Sequence, residues 1–187
     1  MIFFKVLILI IICFLGLEIN ANEMDILKIR TIQPGDDKAI AKIIRDTLKE
    51  FKANKPGTVY YDDRTDHLFE EFSHAPGSIY YIAEWNGEII GGSGIFSTEN
   101  LPAGTCELVK LYLSPQGRGK GIGKELITKC ITAAKEMGYK KIYLETMPEL
   151  TIAIPMYEKL GFTYLPGAMG NSGHTGCDVW MIKDLEE

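Results

Sequence analysis

The chain has 187 residues, 46% hydrophobic and 24% charged, a balance that suits one soluble globular domain with its own core. Its formal net charge of -5 and the lack of a Lys/Arg-dense stretch argue against a nucleic-acid backbone as the main partner. Cys13, Cys106, Cys130 and Cys177 show no CxxC spacing, so reduced, mostly buried thiols are expected rather than a disulfide or zinc framework; His174 and Cys177 have no second pair nearby, and no metal site is expected.

At the amino end, Val6 to Leu17 is apolar or glycine, preceded by Lys5 and followed by Glu18-Ile-Asn-Ala-Asn. This stretch has the form of a signal peptide cleaved after Ala21, and it is short for a stable membrane span, which needs ~20 apolar residues. Met24 stands just before the first patterned segment, so a true start there is a further reading. The favoured division is a signal-like or mis-assigned segment 1–23 followed by one cytoplasmic domain, 24–187. Export or membrane association through residues 1–21 is the alternative.

Ile26 to Ile32 reads as a strand, and Pro34-Gly-Asp-Asp37 turns into a helix with Ile40, Ile43, Ile44, Leu48 and Phe51 on its apolar face. Lys52 to Asp66 is irregular, and a short helix through Leu68, Phe69 and Phe72 ends near Ala75-Pro-Gly77. Ser78–Trp85 and Glu88–Phe96 are strands joined by Asn86-Gly87, a dipeptide suited to a type I′ hairpin because both positions need positive φ. Cys106 to Leu113 is another strand. A long helix with Ile122, Leu126, Ile127, Cys130, Ile131 and Ala134 buried should stop at Gly138. Lys141–Glu145 then reads as a strand, Thr151–Leu160 as a helix and Asp178–Ile182 as a closing strand, which gives a mixed α/β sheet.

The most informative stretch is Leu111-Tyr-Leu-Ser-Pro-Gln-Gly-Arg-Gly-Lys-Gly-Ile-Gly-Lys124, a strand, a glycine-rich turn and a helix start. The first turn of a helix leaves N–H groups unpaired and carries partial positive charge, so it accepts phosphate oxygens. Gly119, Gly121 and Gly123 let the backbone approach them, and Arg118, Lys120 and Lys124 add cationic reach. A P-loop reading is weakened because neither Gly-Lys pair is followed by Ser or Thr, nor has a glycine at the right upstream distance. The dinucleotide fingerprint fails as well, since it needs glycine at Ile122 or Lys124.

What remains is Gln116-x-x-Gly119-x-Gly121, and downstream Tyr157-Glu-Lys-Leu-Gly-Phe162. Together they resemble the two recurring segments of the GNAT acetyltransferase superfamily, over nearly all of the chain from Met24. The resemblance implies a mostly antiparallel central sheet of about six to seven strands flanked by about four helices, splayed at the acetyl-CoA site. It also implies that acetyl-CoA lies against Leu111, Tyr112, Leu113, Gln116, Arg118, Gly119, Lys120, Gly121, Ile122, Gly123 and Lys124. The pyrophosphate would sit on the turn, and the pantetheine arm would pair with Leu111–Leu113 like an added strand. A backbone N–H between Val109 and Leu113 would face the thioester oxygen.

The implied reaction is direct attack by a bound amine. An alkylamine with a pKa near ~10.4 is protonated at neutral pH and needs a base. Glu107 is the candidate base, expected by strict alternation to share a face with Val109, Leu111 and Leu113; a solvated strand-end carboxylate is its plain alternative. Glu145, at the end of the next strand, is a weaker candidate for the same role or for holding the cation. Tyr157 matches the family position whose phenol protonates the departing thiolate, and a packed helical tyrosine is the alternative.

Two residues depart from the family pattern. No Asn occurs in Met147-Pro-Glu-Leu-Thr-Ile152, so contacts to the arm must come from backbone or Thr151. Gly117 replaces a commonly larger residue, which is expected to loosen the turn.

The reading is therefore an N-acetyltransferase acting on a primary amine of a small molecule or a peptide, with a homodimer left open. The alternatives are a non-catalytic acetyl-CoA sensor and an exported binding protein with a vestigial turn. Lys52–Asp66 and Gly167–Gly176 are expected to wall the acceptor site. Within them Tyr60, Tyr61, Asp62 and Asp63 could cage a cation or stand solvated, and His174 could assist as a base or be an uninvolved loop histidine.

Overall fold

The computed structural model describes residues 26–186; the expectations for segment 1–23, for a start at Met24 and for Cys13 lie outside them. In chain order the elements are β1 (Leu27–Thr31), α1 (Asp37–Glu50), a 3-10 turn (Asp63–Asp66), α2 (Leu68–Ser73), β2 (Ile79–Trp85), β3 (Glu88–Phe96) and β4 (Thr105–Leu113). A second 3-10 turn (Pro115–Gly117) leads to α3 (Ile122–Glu136), β5 (Lys141–Thr146), α4 (Ile154–Lys159), β6 (Thr163–Leu165) and β7 (Val179–Asp184). The strands form one seven-stranded sheet in the order β1-β2-β3-β4-β5-β7-β6. Every pairing is antiparallel except β4 with β5.

The local signals act as their chemistry requires. Asn86 and Gly87 take φ of 52° and 84° at the β2–β3 hairpin, and Gly138 takes 85° after α3. Two differences from expectation have physical causes. The helix expected from Thr151 begins at Ile154, because Pro155 lacks an N–H and fits only in a first turn. The three-residue β6 has two exposed positions, so no burial pattern marks it; it exists through its ladder with β7.

Two apolar cores lie on opposite faces of the sheet. Ile122, Leu126, Ile127 and Cys130 of α3 pack with Leu108, Leu144 and Tyr157. Ile40, Ile44 and Leu48 of α1 pack with Leu68 and Phe72 of α2 and with Tyr80 and Tyr112. The Phe69 N–H donates to Asp37 Oδ1 at 2.8 Å, tying the start of α2 to the start of α1.

The sheet is broken at one place. β4 pairs with β5 only from Thr105 to Leu108; beyond Leu108 it diverges, and Glu145 and Thr146 pair with β7 instead. At the same level β4 carries a bulge. Gly94 faces Val109 and Gly92 faces Tyr112, so Lys110 and Leu111 together oppose Ser93. Lys110 takes φ of 51° there, a left-handed conformation that costs a lysine energy.

The bulge overturns one expectation. Glu107 and Val109 share a face, but Leu111 and Leu113 do not join them: they pack on the α3 side, whereas Val109 and Tyr112 pack on the α1 side. The extra residue shifts the alternation by one.

Tyr80 secures the bulge. Its ring lies where a side chain at Gly92 or Gly94 would be, within 2.7 Å of a Cβ at either, and its hydroxyl donates to the Lys110 carbonyl at 2.9 Å. Replacing Tyr80 by Phe orphans that carbonyl beneath a fully buried ring, with an expected loss of about 1–3 kcal/mol. Urea unfolding checks this: the midpoint should fall with no change in slope.

Candidate active site

The glycine-rich turn leaves the end of β4 and enters α3 through Gly121, whose φ of 81° makes it a left-handed cap; no side chain caps this helix. The first backbone bond is Glu125 N–H to the Gly121 carbonyl at 3.1 Å, which leaves the N–H groups of Ile122, Gly123 and Lys124 for an external acceptor. Space is open in front of Gly119 and Gly121, where an added Cβ would meet nothing within 4 Å. Both have positive φ, so glycine serves the backbone conformation and the clear approach alike. The turn thus fits a diphosphate oxygen cluster by shape and donor set.

The side chains of the turn divide in their roles. Arg118 donates from Nε to the Leu113 carbonyl at 3.0 Å and bridges both oxygens of Glu50 at 2.7 and 2.8 Å. Its guanidinium also lies 5.1 Å over the Phe51 ring, so it clamps the turn to α1. Lys120 rests 4.0 Å over the Trp85 ring, and Gln116 and Lys124 are exposed. The Ile122 side chain is core, leaving its N–H as the available group. Gly117 is buried, and an added Cβ would lie 3.2 Å from Ile90 Cδ1. The turn is tight at Gly117, contrary to the expected loosening, because Ile90 and Leu113 already fill that space.

Three hollows follow β4 in series. A cleft of about 80 Å³ beside the turn is walled by Leu111, Leu113, Arg118, Gly123 and Met156. Tyr112 and Leu150 wall this cleft and also a crevice of about 50 Å³ within the split between β4 and β5. Glu107, Val109, Lys110 and His174 wall the crevice and also a cavity of about 490 Å³. The structure therefore brings Leu111–Leu113, Arg118 and Gly123 together at one end and places Glu107 at the other. Tyr157 lines none of the three; it is buried in the α3 core with its ring edge-on to Phe162 at 5.7 Å. Among the described residues its hydroxyl makes no hydrogen bond.

Both irregular segments wall the large cavity, through Arg64 on one side and Asn171, Ser172 and His174 on the other. The second is pinned to β5: the Ser172 hydroxyl donates to Glu145 Oε2 at 2.8 Å, and Met169 N–H donates to the Tyr143 hydroxyl at 3.0 Å. Tyr143 in turn donates to Glu145 Oε1 at 2.8 Å, so both Glu145 oxygens are engaged in holding this loop. Asp62 is also occupied: its side chain caps the 3-10 turn, accepts from Arg64 and faces His174 Nε2 at 3.4 Å. Tyr61 and Asp63 point to solvent.

Glu107 is 3% exposed. Burial pushes its pKa up to about 7, the Thr98 hydroxyl that donates to Oε2 opposes this, and the Glu145 charge adds to it. Burial lowers the pKa of His174, with the Lys110 charge adding to the effect. Lys110 was not singled out in the sequence. Its side chain is 5% exposed and its ammonium lies 3.8 Å from Glu71 Oε2. In a regular strand Lys110 would point away from Glu107; the bulge brings both to the same cavity.

A split sheet with an uncapped helix N-terminus at one end of the split and a buried carboxyl at the other defines an acyltransferase of GNAT architecture. The chain belongs to this family: the Acetyltransferase (GNAT) family model matches residues 42–162. It is 39% identical over 167 residues to the uncharacterised N-acetyltransferase YjgM of Escherichia coli (strain K12), covering 88% of this chain and 98% of that one. Human N-acetyltransferase 8B is 30% identical over 118 residues, 60% of this chain and 52% of that protein. Among solved structures, a GNAT-family acetyltransferase from Staphylococcus aureus Mu50 superposes with a TM-score of 0.75 at 19% identity, covering 86% and 99% of the two chains. The acetyltransferase yncA from Salmonella typhimurium, solved with its cofactor acetyl-CoA, gives 0.65 at 20% identity, covering 87% and 95%.

The buried carboxyl of Glu107 has a measurable consequence. Its folded pKa lies above the ordinary 4.5, so the stability tied to its proton is complete below pH 4.5 and is lost as pH rises through about 7. The loss at full ionisation is on the order of 3 kcal/mol. Glu107→Gln removes it, so unfolding curves of the variant and the wild type should separate in the variant's favour between pH 5 and pH 8.

Proposed function

We infer that the protein transfers an acetyl group from acetyl-CoA to a primary amine of a small molecule or peptide, by direct attack in a ternary complex. The observation that carries this reading is the series of three hollows along the unpaired edge of β4. One end offers free helix N–H groups, and the other offers a buried carboxyl. The naming of relatives as N-acetyltransferases and the acetyl-CoA bound by yncA support it.

In this reading the diphosphate takes the N–H groups of Ile122, Gly123 and Lys124, with Gln116, Lys120 and Lys124 as flexible outer partners. The pantetheine arm follows Leu111–Leu113 in the cleft. Past Leu108 the strand has no β5 neighbour, so an N–H between Val109 and Leu113 is available to the thioester oxygen as negative charge develops there. The amine approaches from the large cavity, and Glu107, ionised above about pH 7, takes its proton directly or through water. The amine nitrogen bonds to the carbonyl carbon and the C–S bond breaks. Tyr157, whose pKa burial pushes up, keeps its proton at neutral pH; it lines none of the three hollows, so it serves as the acid for the thiolate only where the bound arm reaches its hydroxyl. Such an enzyme works where acetyl-CoA is supplied, which favours the cytoplasm. Among the described residues no helix is long and apolar enough to cross a membrane.

Calorimetric titration with acetyl-CoA, with NADH as control, tests the donor. Binding is expected for acetyl-CoA alone, and Gly121→Val should weaken it about tenfold or more. An absence of heat from folded protein would sink the assignment. Thiol release over a panel of amines tests catalysis: Glu107→Gln should lower kcat by roughly 10²–10⁴, and the wild-type rate should rise with pH through about 7. An unchanged kcat would move the base elsewhere.

A further inference from the structure

The large cavity holds two opposite charges that do not complete one another. Lys110 is buried, its ammonium is 3.8 Å from Glu71 Oε2, and among the described residues it donates no hydrogen bond. Glu71 Oε2 is itself buried and accepts no hydrogen bond. An ammonium has three protons to give, and a buried ion pair whose remaining hydrogen bonds are unmade is poorly compensated for its lost hydration. Both residues wall the cavity; Glu71 Oε2 is itself shut off from it, so the unmatched group on that wall is the Lys110 ammonium.

The charges of Asp62 and Glu107 also support the Lys110 ammonium through space, but among the described residues neither carboxylate accepts a hydrogen bond from it. Arg64 is engaged by Asp62 at 3.0 Å and by Glu71 at 3.5 Å. Glu107, on the same wall, accepts from Thr98. The position is also built at a cost, since Lys110 holds a left-handed φ of 51° and its carbonyl is fixed by Tyr80. Burial pulls the lysine's pKa down, and the charge of Glu71 opposes this; a bound anion would act in the same direction as Glu71.

We propose that the acceptor is a compact amine that also carries an anionic group, of the amino-carboxylate type, with Lys110 receiving the anion while the amine lies toward Glu107. This rests on the acetyl-transfer reading above and specifies its substrate class. Glu71, Glu99 and Glu107 line the cavity beside Arg64 and Lys110, so a diamine or polyamine is disfavoured at the Lys110 position itself, where its second ammonium would meet a like charge. An amine with a neutral far end would leave the lysine's protons unmatched.

The test compares matched sets: the common amino acids, their carboxamides, their decarboxylated amines and aminoalkylphosphonates. Each is assayed by thiol release with acetyl-CoA and by calorimetric binding to CoA-loaded protein. At least one acid should be preferred over its amide and its amine by roughly tenfold or more in kcat/KM. Comparison with the phosphonates tells whether the site takes a planar carboxylate or any compact anion.

In Lys110→Met the acid-to-amide ratio should collapse toward one through KM, and Lys110→Arg should keep much of the preference. Equal or better use of amides, amines or polyamines by the wild type overturns the proposal and leaves acetyl transfer standing. A preference unchanged in folded Lys110→Met overturns the role of Lys110. If no acid or phosphonate is turned over or bound, the proposal fails, and the separate acetyl-CoA titration shows whether the parent reading fails with it. Should Lys110→Met not fold, the wild-type comparison decides alone.

Discussion

The site depends on a single backbone constraint, the bulge at Lys110–Leu111 opposite Ser93. One extra residue in β4 accompanies its departure from β5, transfers Leu111 and Leu113 to the α3 side and brings Lys110 to the wall of the large cavity. The conformation is unfavourable for a lysine, so neighbours must hold it. Tyr80 does so from a place that exists only because Gly92 and Gly94 have no side chains. Its hydroxyl answers a carbonyl that the regular ladder no longer serves.

The two ends of the split are stabilised by different means, as their chemistry requires. At the turn, charge is neutralised before any ligand arrives. Arg118 is held by Glu50 and the Leu113 carbonyl, so the glycine backbone keeps its shape and its N–H groups stay clear. At the cavity, charge is left incomplete. Glu107 is buried with one hydroxyl partner among the described residues, and Lys110 and Glu71 face each other beyond hydrogen-bond distance. Preorganised donors suit a ligand common to a whole family, whereas unmatched charge suits discrimination among acceptors.

The loops around the cavity are fixed rather than loose. Glu145, which a linear reading offers as a second base, uses one oxygen on Tyr143 and the other on Ser172, and so holds the Gly167–Gly176 loop over β5. Arg45 pairs with Asp66 at 2.6 Å and donates to the Tyr60 carbonyl at 3.2 Å, securing the opposite loop to α1. His174 joins the two through Asp62. The irregular segments, which lack any periodic pattern, thus acquire their order from side-chain contacts between distant residues.

What the sequence determined by itself is what local chemistry decides. Asn86-Gly87 made the hairpin because both residues accept positive φ, the 3.6-residue period of Ile122 to Ala134 made α3, and Gly119-Lys-Gly121 before a helix made an open turn onto an uncapped helix start. The family resemblance rests on two such short-range motifs, Gln116-x-x-Gly119-x-Gly121 and Tyr157-Glu-Lys-Leu-Gly-Phe162. Only the tertiary structure decided which face of β4 each residue takes after Val109, because a bulge leaves no mark in a run such as Leu108-Val-Lys-Leu-Tyr-Leu113. For the same reason nothing in the sequence singles out Lys110, and Glu145 reads as a weaker candidate base. Their partners, Glu71, Tyr143 and Ser172, are brought to them by the fold, and the spacing of residues along a chain carries no record of contacts made across it.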